Sequence, residues 1–178
     1  QQGNRAVHGG PEKAVLLYAA AHYAEWAADG FEVPEGGFFE NLTVDGLTES
    51  DVWLGDTWQI GEAGPRVQIT QPRRPCRTLA DRWDRATLPV EVQQTGRTGW
   101  YVRVLRDGPV QAGDRLTLVE RLSGSVSAAE ANRVMNVDRG DSDGIRRLLA
   151  SPELPAAWRD KLQRRLAGEL EDDSARLK

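Results

Sequence analysis

The sequence predicts a mainly β fold, a barrel-like sheet with short helices, followed by a C-terminal extension of three helices. Three observations carry this reading. Short segments of strand character, bounded by Gly, Pro and Asp turns, fill residues 40–120. Two of them echo one another: Val52-x-x-Gly55-Asp56-x-Trp58-x-Ile60 and Val110-x-x-Gly113-Asp114-x-Leu116-x-Leu118. Each runs from a Gly-Asp turn into a strand, as repeated corners of one sheet would. After "LSGS" at residues 122–125 the apolar periodicity turns helical and stays so. The expected division is a β domain over residues 1–122 and a helical extension over 126–178. The extension is too short to be stable alone, so it packs on the β domain or on a partner.

From the N-terminus, "PEKAVLLYAAAHYAEWAADG" reads as the first helix. Pro11 suits a first helical position, Val15, Tyr18, His22 and Trp26 recur at spacings of three and four, and Gly30 is a stop. "EGGFFENLTVDGL" gives a Gly-rich turn, a short strand around Leu42–Val44 and a D-G turn. "VWLGDTWQIG" and "RVQITQP" follow as strands, with Trp58/Ile60 and Val67/Ile69 alternating inward. Pro72 and Pro75 end pairing, which leaves Cys76 on a loop leaving a strand. "TLADRW", with Thr78 as N-cap, and "LPVEVQQTG" read as short helices. "GWYVRVLRDG" and "GDRLTLVER" read as strands, with Trp100 and Tyr101 expected in the core. In the extension, Ser127-x-x-Glu130 is a capping box. Ile145, Leu148 and Leu149 mark a second helix. Pro155 opens a third, with Trp158, Leu162 and Leu166 on one face.

Composition bounds the function. No apolar run is long enough to span a membrane, and the one cysteine forms no internal disulfide, so a cytoplasmic setting is expected. The chain opens on "QQGNRAVHGG" without Met or a leader pattern, and its N-terminus is expected to be incomplete. Charge is segregated: residues 1–65 carry 2 basic and 11 acidic side chains, while residues 66–106 carry 9 arginines against 3 acids. The basic block surrounds Cys76, with Arg73, Arg74 and Arg77 close by. Such a field either receives an anion, phosphate above all, or pairs with the acidic N-terminal third.

The chemistry candidates narrow quickly. Adjacent cations favour a thiolate, the form that attacks and binds metals. A Cys–His pair would use His8, in a glycine-rich loop, or His22, which its apolar helix face marks as a satisfied core histidine. No cysteine-hydrolase context surrounds Cys76, and no third orienting residue stands out. One Cys and two His match no zinc spacing, and Walker and dinucleotide fingerprints are absent. Pyridoxal phosphate is not expected. Direct nucleic-acid binding needs a broad basic face with aromatics, which an acidic chain with Trp83, Trp100 and Tyr101 in its basic block does not offer. A soft thiolate beside an anion site remains, and a cofactor combining a metal with a phosphate would account for both features.

Four motifs now carry a resemblance. "VHGGPEKAVLLY", "ENLTVDGLTESDVWLGD", "TQPRRPC" and "TGRTGWYVRVL", in this order, resemble the MOSC family, the domain first described at the C-terminus of molybdenum cofactor sulfurase. The tail "RRLAGELEDDSARL" is similar to the bacterial YiiM-type branch, which has a C-terminal three-helix extension and is associated with resistance to 6-hydroxylaminopurine. The resemblance covers nearly the whole chain. It implies molybdenum cofactor (molybdopterin), a pterin with a dithiolene and a terminal phosphate, with Cys76 as both catalytic residue and molybdenum ligand. By position it places His8, Lys13, Asn41, Gln71 and Arg73 around the cofactor, with Arg5 a further candidate. Arg73 offers a planar fork and Lys13 a point charge, both suited to phosphate. One departure is local: family members carry Gly where this chain has Phe39, so "FGENL" reads "FFENL".

The implied activity is reduction of N-hydroxylated compounds, small molecules such as hydroxylaminopurines, with electrons from a separate flavoprotein. The helical extension is a candidate docking or homodimer surface. The alternative is a module without turnover: a molybdenum cofactor carrier, or a sulfur carrier using a Cys76 persulfide. Glu40 reads equally as a pocket acid or an exposed carboxylate.

Overall fold

The computed structural model describes residues 10–173. Six strands form one curled sheet: β1 (Val15–Ala19), β2 (Leu42–Val44), β3 (Thr57–Ile60), β4 (Arg66–Pro72), β5 (Trp100–Arg106) and β6 (Leu116–Glu120). Their order is β2-β1-β5-β4-β3-β6, antiparallel except for the parallel β1–β2 pair. A short 3₁₀ turn (Pro11–Lys13) precedes β1, and α1 (Ala21–Ala28) crosses from β1 to β2. The helices α2 (Arg77–Trp83) and α3 (Leu88–Thr95) lie between β4 and β5.

The expected helix over Pro11–Gly30 is thus three elements. Pro11 does start a turn and Gly30, at φ 77°, does follow a helix end, but Val15–Ala19 is a strand. The reason is burial: Leu16, Leu17, Tyr18 and Ala19 are all buried, and a short run buried on both faces shows no alternation. Pairing partners on both sides then override a helical spacing.

The echoed corners are real. Asp56 and Asp114 each accept, through Oδ2, the backbone N–H three residues earlier, from Trp53 and Gln111. Gly55 and Gly113 both sit at positive φ, the conformation such a turn requires. The two strands they feed pair with each other, and equivalent positions pair crosswise: Trp58 with Leu118, Ile60 with Leu116. A local twofold arranges strands this way. The first corner interrupts the strand expected from Val52, so β3 begins only at Thr57.

The C-terminal helices are α4 (Ala128–Asn132), α5 (Ser142–Ala150) and α6 (Ala156–Leu166), and α4 runs directly into a π-turn over Arg133–Val137. Ser127 caps α4 by accepting the Glu130 N–H at 3.2 Å. Arg165 crosses under the π-turn and donates to the carbonyls of Val134 and Met135, satisfying groups the wide turn leaves open. These helices share one apolar cluster with the sheet: Trp58, Ile60 and Trp100 pack in the same core as Val134, Leu148, Trp158 and Leu162. Leu166, expected on that face, is exposed instead, because α6 ends there. A second cluster beneath α1 holds Tyr18, Trp26, Phe38, Leu79, Leu88 and Val92.

Candidate functional site

The Cys76 loop is built by a defect in the sheet. The β4–β5 register shifts between Ile69 and Gln71. Such a bulge re-aims the side chains beyond it. Thr70 fills the gap, its hydroxyl donating to the Tyr101 carbonyl at 3.0 Å and to that of Glu12, which ties the bulge to the 3₁₀ turn. Pro72 is the last residue of β4, where only β5 flanks it. Its missing N–H therefore costs no ladder bond on the other side. Arg73 N–H still donates to Gly99 O at 2.9 Å. Cys76 itself, in extended backbone conformation, is the N-cap of α2, a place expected of Thr78. Pro75 holds the chain extended up to it, so the helix starts two residues earlier than side-chain capping preferences suggest.

Cys76 stands where two cavities meet. One, of about 340 Å³, is lined by Lys13, Phe39, Asn41, Arg73 and Tyr101. The other, of about 820 Å³, opens toward the start of α6 and is lined by Gln71, Arg77, Ala157, Trp158 and Lys161. Lys13, Arg74, Cys76, Thr78 and Tyr101 border both. A third cavity, of about 520 Å³ between Gly61–Gly64 and Pro109–Gln111, lies at the β3–β4 turn and does not touch the thiol.

Electrostatics distinguish the arginines of the basic block. Arg97 pairs with Glu25 and Asp29, Arg103 with Glu12 and Glu153, and Arg85 with Glu91, so part of the block does meet the acidic N-terminal third. Arg74 is held by Asn136 and Asp173 from the C-terminal helices and their tail. Arg73 is 5% exposed and hydrogen-bonds Tyr101 rather than a carboxylate, and its Nη1, like the Arg103 Nε, is buried without a partner among the described residues. A buried donor in that state costs about 1–3 kcal/mol, which an anion in the adjoining cavity would return. Burial, then the Arg74 charge, lowers the Lys13 pKa. Burial raises that of Tyr101, helped by Cys76 and opposed by Arg73. Among the described residues no three His, Cys, Asp or Glu side chains converge on a metal position. A metal here would take one protein thiolate and bring its remaining ligands with it. The donor set fits a phosphate-bearing metal cofactor.

Of the residues singled out from sequence, Lys13, Asn41, Gln71, Arg73 and Cys76 are brought together around these two cavities. Asn41 also fastens the wall, its Oδ1 accepting the Leu16 N–H at 2.8 Å. Arg5 and His8 lie outside the described residues. Trp100 is core as expected, but Tyr101 is not: strand alternation sends it to the cavity side. His22 is buried and bonded to Glu49 and Glu25. Glu40 is neither pocket acid nor free carboxylate; it accepts from Tyr23, Gly36, Phe38 and Thr43 and organises the loop before β2. Sequence reasoning missed the α6 contribution of Trp158 and Lys161, because lining residues more than eighty positions from the thiol leave no local signal.

Comparison with known proteins agrees with this fold. Residues 4–117 match the MOSC domain model, and residues 126–169 match the YiiM-like 3-alpha helix domain. Protein YiiM of Escherichia coli (strain K12) is 40% identical over 182 residues, covering 99% of this chain and 80% of the relative. A Gibberella moniliformis protein named "Reductase" is 34% identical over 134 residues, 72% of this chain and 23% of that protein. The crystal structure of YiiM from Geobacillus stearothermophilus superposes with a TM-score of 0.82 at 39% identity, covering 89% of this chain and 80% of that one. The curled sheet and the three appended helices are therefore those of a known lineage, and the chain belongs to the MOSC-domain family, in its YiiM-like branch.

Proposed function

We propose that this protein is a molybdenum-cofactor-dependent reductase of N-hydroxylated compounds, hydroxylaminopurine-type bases among them. The observation that carries the reading is the buried, unpartnered Arg73 Nη1 on the wall of the cavity that holds the lone cysteine. One ligand with a phosphate and a thiophilic metal satisfies both. Cys76 holds the metal, and the Arg73 fork with Lys13 binds the phosphate. Asn41 and Gln71, which line the cavities beside Cys76, would hold the pterin by hydrogen bonds, and Arg5 and His8 are counted with them on resemblance alone. The cofactor, when bound, supplies the two-electron chemistry that cleaves the N–O bond. The N-hydroxylated compound takes up two electrons and two protons and leaves as amine and water.

The chain's own part is orientation, water exclusion and hydrogen-bond donation. Tyr101, its pKa raised by burial, keeps its phenol proton at neutral pH where the two cavities meet. The larger cavity gives a substrate its own approach to Cys76, past Trp158. Electrons come from a separate flavoprotein. The reductase name of the 34%-identical fungal relative supports the reaction class.

The test is molybdenum and pterin content of protein from cofactor-replete cells, beside its Cys76→Ser variant, with turnover of 6-hydroxylaminopurine under a flavoprotein reductant. Near-stoichiometric molybdenum that disappears in the variant together with turnover is expected. Cofactor without turnover would leave a carrier, and absence of both metal and pterin would overturn the reading.

A further inference from the structure

Phe39 stands in a conformation that phenylalanine avoids. Its φ is 62°, in the left-handed region, and one of only two non-glycine residues there among those described. Bulky side chains occupy this region at a cost and persist only where the surroundings over-determine it. The surroundings here do. Phe38 is fully buried and stacks on Tyr18, ring centroids 4.6 Å apart, and on Trp26 at 5.7 Å. On the other side, Glu40 is fixed by the Gly36 and Phe38 N–H groups and by the Tyr23 and Thr43 hydroxyls. Phe39 N–H closes a turn onto Gly36 O at 3.0 Å. With both neighbours anchored, the strained residue turns outward. The residue is 43% exposed, yet it lines the 340 Å³ cavity with Asn41, Arg73, Cys76 and Tyr101.

An exposed aromatic ring held at a conformational cost on a cavity wall calls for a partner. We propose that Phe39 is a stacking platform for a flat heteroaromatic ring system entering the Cys76 cavity. Two molecules of the reaction proposed above carry such a ring, the pterin of the cofactor and the purine of the substrate, and the inference rests on that reading. Ring-on-ring stacking of this kind shifts affinity roughly tenfold.

Three variants of the full chain test it. Phe39→Gly removes ring and strain together. Its Tm should move by no more than about 2 °C, since strain relief offsets the entropy glycine adds to the unfolded chain. Phe39→Leu keeps bulk without a ring, and Phe39→Trp keeps a ring. Retained pterin per chain is measured, with KM and calorimetric affinity for 6-hydroxylaminopurine and for ring-free N-hydroxyurea. If the ring is the cofactor's, retained pterin falls severalfold in the Gly and Leu variants and holds in Trp. If it is the substrate's, pterin is unchanged and KM and Kd for the purine rise roughly tenfold, while those for N-hydroxyurea stay. Gly and Leu variants matching the parent in pterin retention and in purine preference would overturn the proposal while leaving the reductase standing. Loss of pterin or purine binding in a protein that reduces neither compound would overturn the reductase and uphold the platform.

Discussion

The Arg74 guanidinium, two residues before Cys76, donates from Nε to Oδ1 of Asn136 in the π-turn at 3.0 Å. Its Nη2 reaches Asp173 at 2.6 Å, and Asn136 in turn donates to Asn132, which donates to Gln93 O. The approach to the thiol is therefore held from the C-terminal helices, and the π-turn is where the helix offers the group that holds it.

Asn136→Ala should loosen that approach. Loss of a hydrogen bond to a charged group costs about 1.5–3 kcal/mol, or roughly 3–12 °C in Tm for a chain of this size. Alkylation of Cys76, the only cysteine, should quicken severalfold. Thermal melts and iodoacetamide kinetics on the same samples check it. Unchanged values of both would mean that Arg74 is fixed by Asp173 alone.

Arg73→Met should have opposite effects on stability and on loading. Without an anion, the parent buries an unpartnered donor, and an apolar side chain of similar length relieves it, so the cofactor-free protein gains about 1 kcal/mol. Pterin retention should be lost at the same time. Chemical denaturation of cofactor-free protein beside pterin assay of protein from replete cells reads the two. A destabilised variant would show that Arg73 is already satisfied without a ligand.

The His22–Glu49 pair predicts a pH dependence. His22 Nε2 lies 2.7 Å from Glu49 Oε2 with both side chains buried, and Glu49 Oε1 accepts the Gly99 N–H at 2.6 Å. Burial by itself lowers the His22 pKa, but the hydrogen bond and charge of Glu49, then Glu25, outweigh it, and the net shift is upward from 6.5. The folded state thus holds this proton more tightly than the unfolded chain. The associated stability is complete below about pH 6.5 and is lost as pH rises through the raised folded-state value. Urea melts from pH 6 to pH 9 should show that decline, and His22→Gln should flatten it. Truncation to His22→Ala, which strands Glu49, should cost about 3–5 kcal/mol.

What the sequence revealed and what it concealed divide along physical lines. Local signals read correctly: the Ser127 N-cap, the proline-terminated strand before Cys76 and the Gly-Asp corners are decided within four or five residues, although the Glu130 carboxylate turns to Arg133 and Arg147 instead of closing the capping box. That the two echoed strands pair with each other, crosswise, the pattern did not say; it pointed only to repeated corners of one sheet. Val15–Ala19 misled because its apolar residues satisfy a helical spacing while their burial is imposed by β2 and β5 on either side. Tyr101 misled because alternation names two faces without saying which is the cavity. Arg74–Asn136 and the Trp158 wall join residues more than sixty positions apart, and nothing in one segment announces the other.

The shared core has an evolutionary consequence. Trp58 of the sheet and Trp158 of α6 belong to one apolar cluster. A recombination breakpoint near residue 123 would strip the sheet of the side chains that cover it and leave the helices with nothing to cover. The two segments therefore depend on one another for cover, and a variant without the helices would need polar residues at Val52, Leu54 and Ile60.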